Sequence, residues 1–130
     1  MLKKSQQKSQ QKFIHCPCVG ATLDKMIQPA ILAILTEGPL HGYELAQKIG
    51  DIPHLFEEPP DISGIYRILK SFEKRGMVTS SWNITQGGHP KRIFAITESG
   101  RQCLQHWLGT LQNYRKGIGS ILKKVQKAVQ

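Results

Sequence analysis

The chain has 130 residues, 39% hydrophobic and 21% charged, with a net charge of +9. That length suits one domain with tails and a modest core that self-association would supplement. No apolar run approaches the ~20 residues that span a bilayer, and no apolar stretch follows the basic N-terminus, so membrane and secretory classes are set aside and a cytoplasmic location is expected.

The charge is unevenly placed. Residues 1–12 carry Lys3, Lys4, Lys8 and Lys12 and no acid, and residues 115–130 carry Arg115, Lys116, Lys123, Lys124 and Lys127 and no acid. Between them, residues 13–61 have two bases against seven acids, and residues 62–114 have seven bases against two acids. The second half of the globular part is therefore a candidate surface for a polyanion.

Residues 1–12 are lysine, glutamine and serine with almost nothing apolar, a composition that does not repay the entropy of ordering. A basic flexible arm is expected there, continuing through Cys16-Pro17-Cys18 to residue 21. A first helix is expected from near Thr22, with an apolar stripe of Leu23, Met26, Ile27, Ala30, Ile31, Ile34 and Leu35. Pro29 means that it either starts near Gln28 or is kinked. Gly38-Pro39 ends it. A short second helix, from Gly42 to about Ile49, has Tyr43 expected in the core and His41 as a hydrogen-bonding group at its start.

A third helix is expected from Ile62 to about Arg75, capped by Asp61 and closed by Gly76. Ile65, Ile68, Leu69 and Phe72 form its apolar side; Ser63, Tyr66, Arg67, Lys70 and Lys74 form another. The period then changes. "MVTSSW" and "RIFAIT" read as two strands of a hairpin whose tip carries Gly87, Gly88, Lys91 and Arg92. Thr97 reads as the cap of a last helix. Along that helix Leu104, Trp107, Leu111, Tyr114, Ile118, Ile121, Val125 and Ala128 follow alternating steps of three and four, an a/d heptad seam. Such a seam makes a dimer contact or packs back on its own core. Gly117 and Gly119 each cost roughly 1 kcal/mol relative to Ala and leave open whether the helix is continuous, bent or broken there.

The fold class is mainly α with a small β-hairpin: a winged helix-turn-helix over residues 22–100, followed by a dimerisation helix over 101–130. In such domains the third helix can enter the DNA major groove, and the wing meets the phosphate backbone or an adjacent minor groove. Arg67 and Lys70 are the candidates for base edges, since Arg to guanine is the commonest specific contact. Lys74, Arg75, Lys91 and Arg92 are candidates for phosphate contacts. Tyr66 is expected either to bond a phosphate or to plug the gap between helices two and three.

The stretches "GPLHGYEL" (Gly38 to Leu45), "YRILKSFEKRGMV" (Tyr66 to Val78), Trp82 and "GGHPKRIFAITESG" (Gly87 to Gly100) together resemble the PadR-type transcriptional regulators. The resemblance spans roughly residues 27–108. It implies a homodimeric winged-helix protein that binds double-stranded DNA, usually as a repressor. The C-terminal helix would make the dimer, and a small-molecule effector would sit near it. The family's tyrosine of the recognition helix falls on Tyr66, and its wing glycine and bases fall on Gly87, Gly88, Lys91 and Arg92. Where the family commonly has Thr or Ser two places before that tyrosine, this chain has Gly64, with a hydroxyl at Ser63 instead.

Cys16, Cys18, Cys103 and His106 are the candidate metal-ligating residues. Thiolates bind zinc or iron–sulfur clusters, and Cys103 and His106 sit at i, i+3. Three cysteines are too few and too odd for a disulfide framework, and C-x-C is not a standard zinc spacing. No cofactor is expected on the main reading; a redox- or metal-sensing regulator, or a non-catalytic protein-interaction module, are the alternatives. No nucleophile motif, phosphate-binding glycine loop or metalloprotease motif supports an enzyme.

Overall fold

A computed structural model describes residues 24–56, 60–84 and 88–130. The expected arm with Cys16 and Cys18, the proposed start at Thr22 and the wing-tip Gly87 lie outside these residues.

A single 3-10 turn, Asp24–Met26, leads into α1, Ile27–Leu35. Pro29 falls in the first turn of α1, where backbone N–H groups have no partner within the helix, so the proline starts the helix rather than kinking it. Next come β1, Leu40–His41, and α2, Gly42–Gly50. The buried stripe of α2 is Gly42, Leu45, Ala46 and Ile49. Tyr43 is one residue, or 100°, off that stripe and is 58% exposed; its expected place in the core is corrected. α3 runs Ile62–Lys74. Asp61 caps it, its carboxylate accepting from the hydroxyl and the backbone N–H of Ser63. Those two donors hold the Asp61 carboxyl below the ordinary aspartate range, so the cap persists at neutral pH and is released as pH falls through the lowered value.

β2, Val78–Asn83, and β3, Lys91–Ile96, form the hairpin. The sheet has three antiparallel strands in the order β1-β3-β2, because Leu40 and His41 pair with Phe94 and Ile93. The expected sheet was the hairpin alone. On β2, Ser80 stands opposite Phe94 and Trp82 opposite Arg92. Side chains alternate along a strand, so Val78, Ser80 and Trp82 share one face with Arg92, Phe94 and Ile96. Val78 and Phe94 on that face are buried against the helices, joining Ile31, Leu32, Leu35, Leu45, Ile49, Ile65, Leu69 and Phe72 in one core.

α4, Glu98–Val129, is continuous. Its continuity through Gly117 and Gly119, left open by the sequence, follows from their cost: two glycines take about 2 kcal/mol together, too little to interrupt a helix bonded on both sides. Thr97 caps α4, its Oγ1 accepting from the Gly100 N–H at 3.1 Å and donating to the Gly76 carbonyl at 2.6 Å. Cys103, Leu104 and Trp107 pack on the core. Beyond Trp107 the seam leaves it, with exposures from 37% at Leu111 to 62% at Ile121. The packing-back reading of the seam holds for its first two members, while Leu111, Tyr114, Ile118, Ile121 and Val125 face outward. Three helices, a wing and a long helix make a winged-helix fold with a helical extension. Among the described residues no helix is long and apolar enough to cross a membrane.

Candidate nucleic-acid interface

α3 has three working sides because its residues are 100° apart. Ile65, Leu69 and Phe72 are fully buried and hold the helix in place. On the opposite side Ser63, Arg67, Lys70 and Lys74 are all exposed, so three cations leave the helix together, while the Ser63 hydroxyl beside them donates to the Asp61 cap. Neither Arg67, Lys70 nor Lys74 has an acidic partner within 4.0 Å among the described residues. An unpaired basic stripe on a rigid helix suits a polyanion with repeating charge.

The third side faces the wing. Tyr66 meets the Phe94 ring edge-on, with centroids 6.1 Å apart. Its ring also lies over Gly42, the first residue of α2: a Cβ there would sit 2.6 Å from Tyr66 Cζ. Tyr66 therefore fills the gap between α2 and α3. Two turns further along, Glu73 takes a 2.8 Å contact from Arg92 Nη2, and Arg92 Nε donates to Ser80 Oγ at 3.0 Å. Ser80 Oγ in turn donates to the second Glu73 oxygen. The Arg92 guanidinium lies 5.7 Å from the Phe94 ring centroid.

Between the start of α2 and the wing lies a cleft of about 530 Å³, lined by His41, Tyr43, Tyr66, Trp82, Pro90, Lys91 and Arg92. His41 caps α2, its Nδ1 accepting from the Glu44 N–H at 3.3 Å and its Nε2 2.8 Å from Glu44 Oε1. That is the helix-end hydrogen bond expected of it. Trp82 is 64% exposed at the mouth, and Lys91 is exposed at the start of β3. Two phenols and an indole around this open concavity offer hydrogen-bond donors to a phosphate.

Cys103 is half-buried against the core and His106 is exposed one turn on. Among the described residues no three His, Cys, Asp or Glu side chains gather as a metal site.

The family model described as "Transcriptional regulator PadR-like family" matches residues 31–106, which run from α1 through both sides of the interface into α4. The chain belongs to the PadR-like family. It is 34% identical over 94 residues to the "Probable transcriptional regulator Rv1176c" of Mycobacterium tuberculosis, covering 72% of this chain and 49% of that protein. It is 30% identical over 84 residues to the negative transcriptional regulator PadR of Bacillus subtilis, covering 65% of this chain and 46% of that one. The chain thus spans about half the length of the curated relatives it matches. The crystal structure of Bacillus subtilis PadR in complex with operator DNA superposes with a TM-score of 0.55 at 31% identity, over 62% of this chain and 45% of that one. A Thermoplasma acidophilum structure superposes with a TM-score of 0.68 at 30% identity, over 76% and 92% of the two chains.

PadR-like proteins are transcriptional regulators, not enzymes. In this PadR-like chain Ser63, Arg67, Lys70 and Lys74 share the basic side of α3 as their spacing implied, whereas Tyr66, which the same spacing groups with them, turns to the wing instead. The cleft residues Tyr43 and Trp82 were not among the named sites. The missed signal was Tyr43 directly after the glycine that starts α2, a position outside the apolar stripe. Glu73 was also missed: it is the one acid between residues 62 and 97, within the most basic part of the fold.

Proposed function

We propose that this protein is a sequence-specific binder of double-stranded DNA that acts as a homodimer and represses transcription. The observation that carries the proposal is the unpaired basic side of α3 beside the wing, held rigid by a fully buried opposite side. On this reading Arg67 and Lys70 read base edges, Lys74 meets the backbone, Ser63 does so by exchanging its hydroxyl bond to Asp61 for one to a phosphate, and Gly88 and Lys91 bring the wing to phosphate. Tyr66 orients α3 against α2. Residues 22–100 form the DNA-binding unit and residues 101–130 the dimerisation helix; a response to a small ligand near that interface belongs to the same reading. Repression is supported by the named role of the Bacillus subtilis relative, and DNA binding by the operator complex of that relative.

The test is fluorescence-anisotropy titration of the purified, reduced protein against labelled duplexes at several salt concentrations. A steep negative dependence of affinity on salt is expected, since each neutralised phosphate contributes about 0.9 to the slope. Lys91→Ala flattens that slope by about one unit and weakens all sequences alike. Arg67→Ala costs about 1–3 kcal/mol on the operator and relaxes the preference at one base pair. Absence of binding at low salt would reject the proposal in favour of a protein-interaction module.

A further inference from the structure

Glu73 is an acid in the wrong place for a DNA-binding helix. It is the only carboxylate between residues 62 and 97, and it lies on the C-terminal half of α3, one residue from Lys74. Left free, it would repel the phosphates that its neighbours attract. It is not free. Both its oxygens are engaged: Oε1 by Arg92 Nη2 at 2.8 Å, and Oε2 by the Ser80 hydroxyl. Arg92 Nε closes the ring by donating to Ser80 Oγ at 3.0 Å. One carboxylate on α3 thus grips β2 through Ser80 and β3 through Arg92.

The strand geometry separates the two wing bases. Lys91 and Arg92 are adjacent on β3, so they leave the sheet on opposite faces. Arg92 is on the face that carries buried Val78 and Phe94 toward α3, with its guanidinium over the Phe94 ring. It donates to Glu73 and Ser80 and is neutralised by the former. Lys91 is exposed and has no acid within 4.0 Å among the described residues. A formal pair of wing bases is therefore one free cation and one spent one.

We infer that Glu73 is a positioning residue for DNA binding: through Ser80 and Arg92 it clasps the wing to α3 and withholds the Arg92 charge from phosphate. The clasp fixes the wing relative to the reading side of α3, so that Lys91 meets the backbone at a set distance from Arg67 and Lys70. It also lowers attraction to DNA of any sequence, because the positive charge at position 92 is cancelled before DNA arrives. This inference rests on the DNA-binding reading above, and it assigns Arg92 a structural place rather than a phosphate contact.

The experiment measures salt slopes on a labelled random-sequence duplex for the full chain and for Glu73→Gln, Arg92→Gln and the double variant. Glutamine keeps the size of Glu73 and one acceptor, but no longer cancels the guanidinium. Glu73→Gln is expected to steepen the slope by about 0.9, the value of one added phosphate contact, and to tighten binding to random DNA. The double variant is expected to keep the parent slope, because the two charges that cancel are removed together, and Arg92→Gln alone is expected to weaken binding to random DNA, because it leaves the Glu73 carboxylate without its cation. The double variant flattening the slope as far as Lys91→Ala does would overturn the inference; so would an unchanged slope in Glu73→Gln. A DNA-free readout separates this from failure of the DNA-binding reading. In the parent protein the Arg92 Nη2 protons should exchange slowly by nitrogen-15 NMR, and Glu73→Ala, which removes their acceptor, should make them exchange fast. Slow exchange with no DNA binding rejects the function and keeps the clasp; fast exchange in the parent rejects the clasp itself.

Discussion

On the homodimer proposed above, Ile118→Glu combined with Ile121→Glu is expected to give a folded chain that no longer self-associates and binds DNA about 10²- to 10⁴-fold more weakly. The domain core ends at Trp107 along α4, so neither substitution touches a buried side chain. What they touch is the outward part of the seam. Leu111, Tyr114, Ile118, Ile121 and Val125 follow heptad steps, and Leu108, Leu122 and Val129 widen the same side. A monomer leaves that strip in water over five turns. Burying one such side chain contributes about 1.5–3 kcal/mol, so a handful of them on each copy is enough for a stable pair. Two carboxylates in the seam would each need to be desolvated without a partner, which the pair would not survive. The loss in DNA affinity follows from linkage. Two reading heads on one body bind a two-part site with an effective local concentration, and separated heads lose it. Sedimentation velocity reports the first effect and anisotropy the second. A variant that remains dimeric would remove the seam from the interface.

The charge on this helix adds a condition. From residue 99 to residue 130 there are six bases and no acid. Two copies packed along the seam bring like charges together, so self-association should strengthen as salt rises, while DNA binding weakens. The opposite salt dependences make the two events separable in one titration series.

How far the sequence carried these conclusions depended on the length of the pattern. α3 is thirteen residues with a cap, a stop and a clean apolar period, and its boundaries and its basic side were legible. α4 was legible for the same reason, except that its glycines left open a break that thirty-two residues of continuous hydrogen bonding outweigh. β1 was not legible: two residues hold no alternation, and Leu40 and His41 become a strand only because Phe94 and Ile93 lie beside them. Tyr43 was misjudged because an aromatic residue in a short helix reads as core unless the stripe is laid out residue by residue. Arg92 shows a further limit. Its neighbour Lys91 and the wing sequence suggested two equivalent bases, and strand alternation separates their faces; that Arg92 meets Glu73 follows only from the packing of β3 on α3, nineteen residues away in sequence.

Gly100→Val is expected to cost about 3 kcal/mol or more and to lower the melting temperature by roughly 10–20 °C, whereas Gly109→Ala on the same helix should raise stability by up to about 1 kcal/mol. The difference is steric. A Cβ at Gly100 would run into the Met77 carbonyl oxygen and stand 2.7 Å from Ile96 Cγ1, and neither obstacle is the loose end of a flexible side chain. At Gly109 a Cβ meets nothing within 4 Å, so only the helix propensity changes. Gly100 also sits where three elements are tied. The Thr97 N–H donates to the Met77 carbonyl at 3.0 Å, and Thr97 Oγ1 links Gly76 at the end of α3 to the Gly100 N–H in the first turn of α4. Pushing Met77 away from α4 loosens this junction and changes the angle at which α4 leaves the domain. In a dimer joined through α4, that angle sets the separation of the two reading sides of α3. Thermal melts of the two glycine variants give the stability contrast. Gly100→Val should additionally weaken binding to a two-part operator more than to random duplex, at a temperature where the variant is still folded, because only the former depends on the spacing of the heads. Equal weakening on both duplexes would mean that Gly100 matters for packing alone.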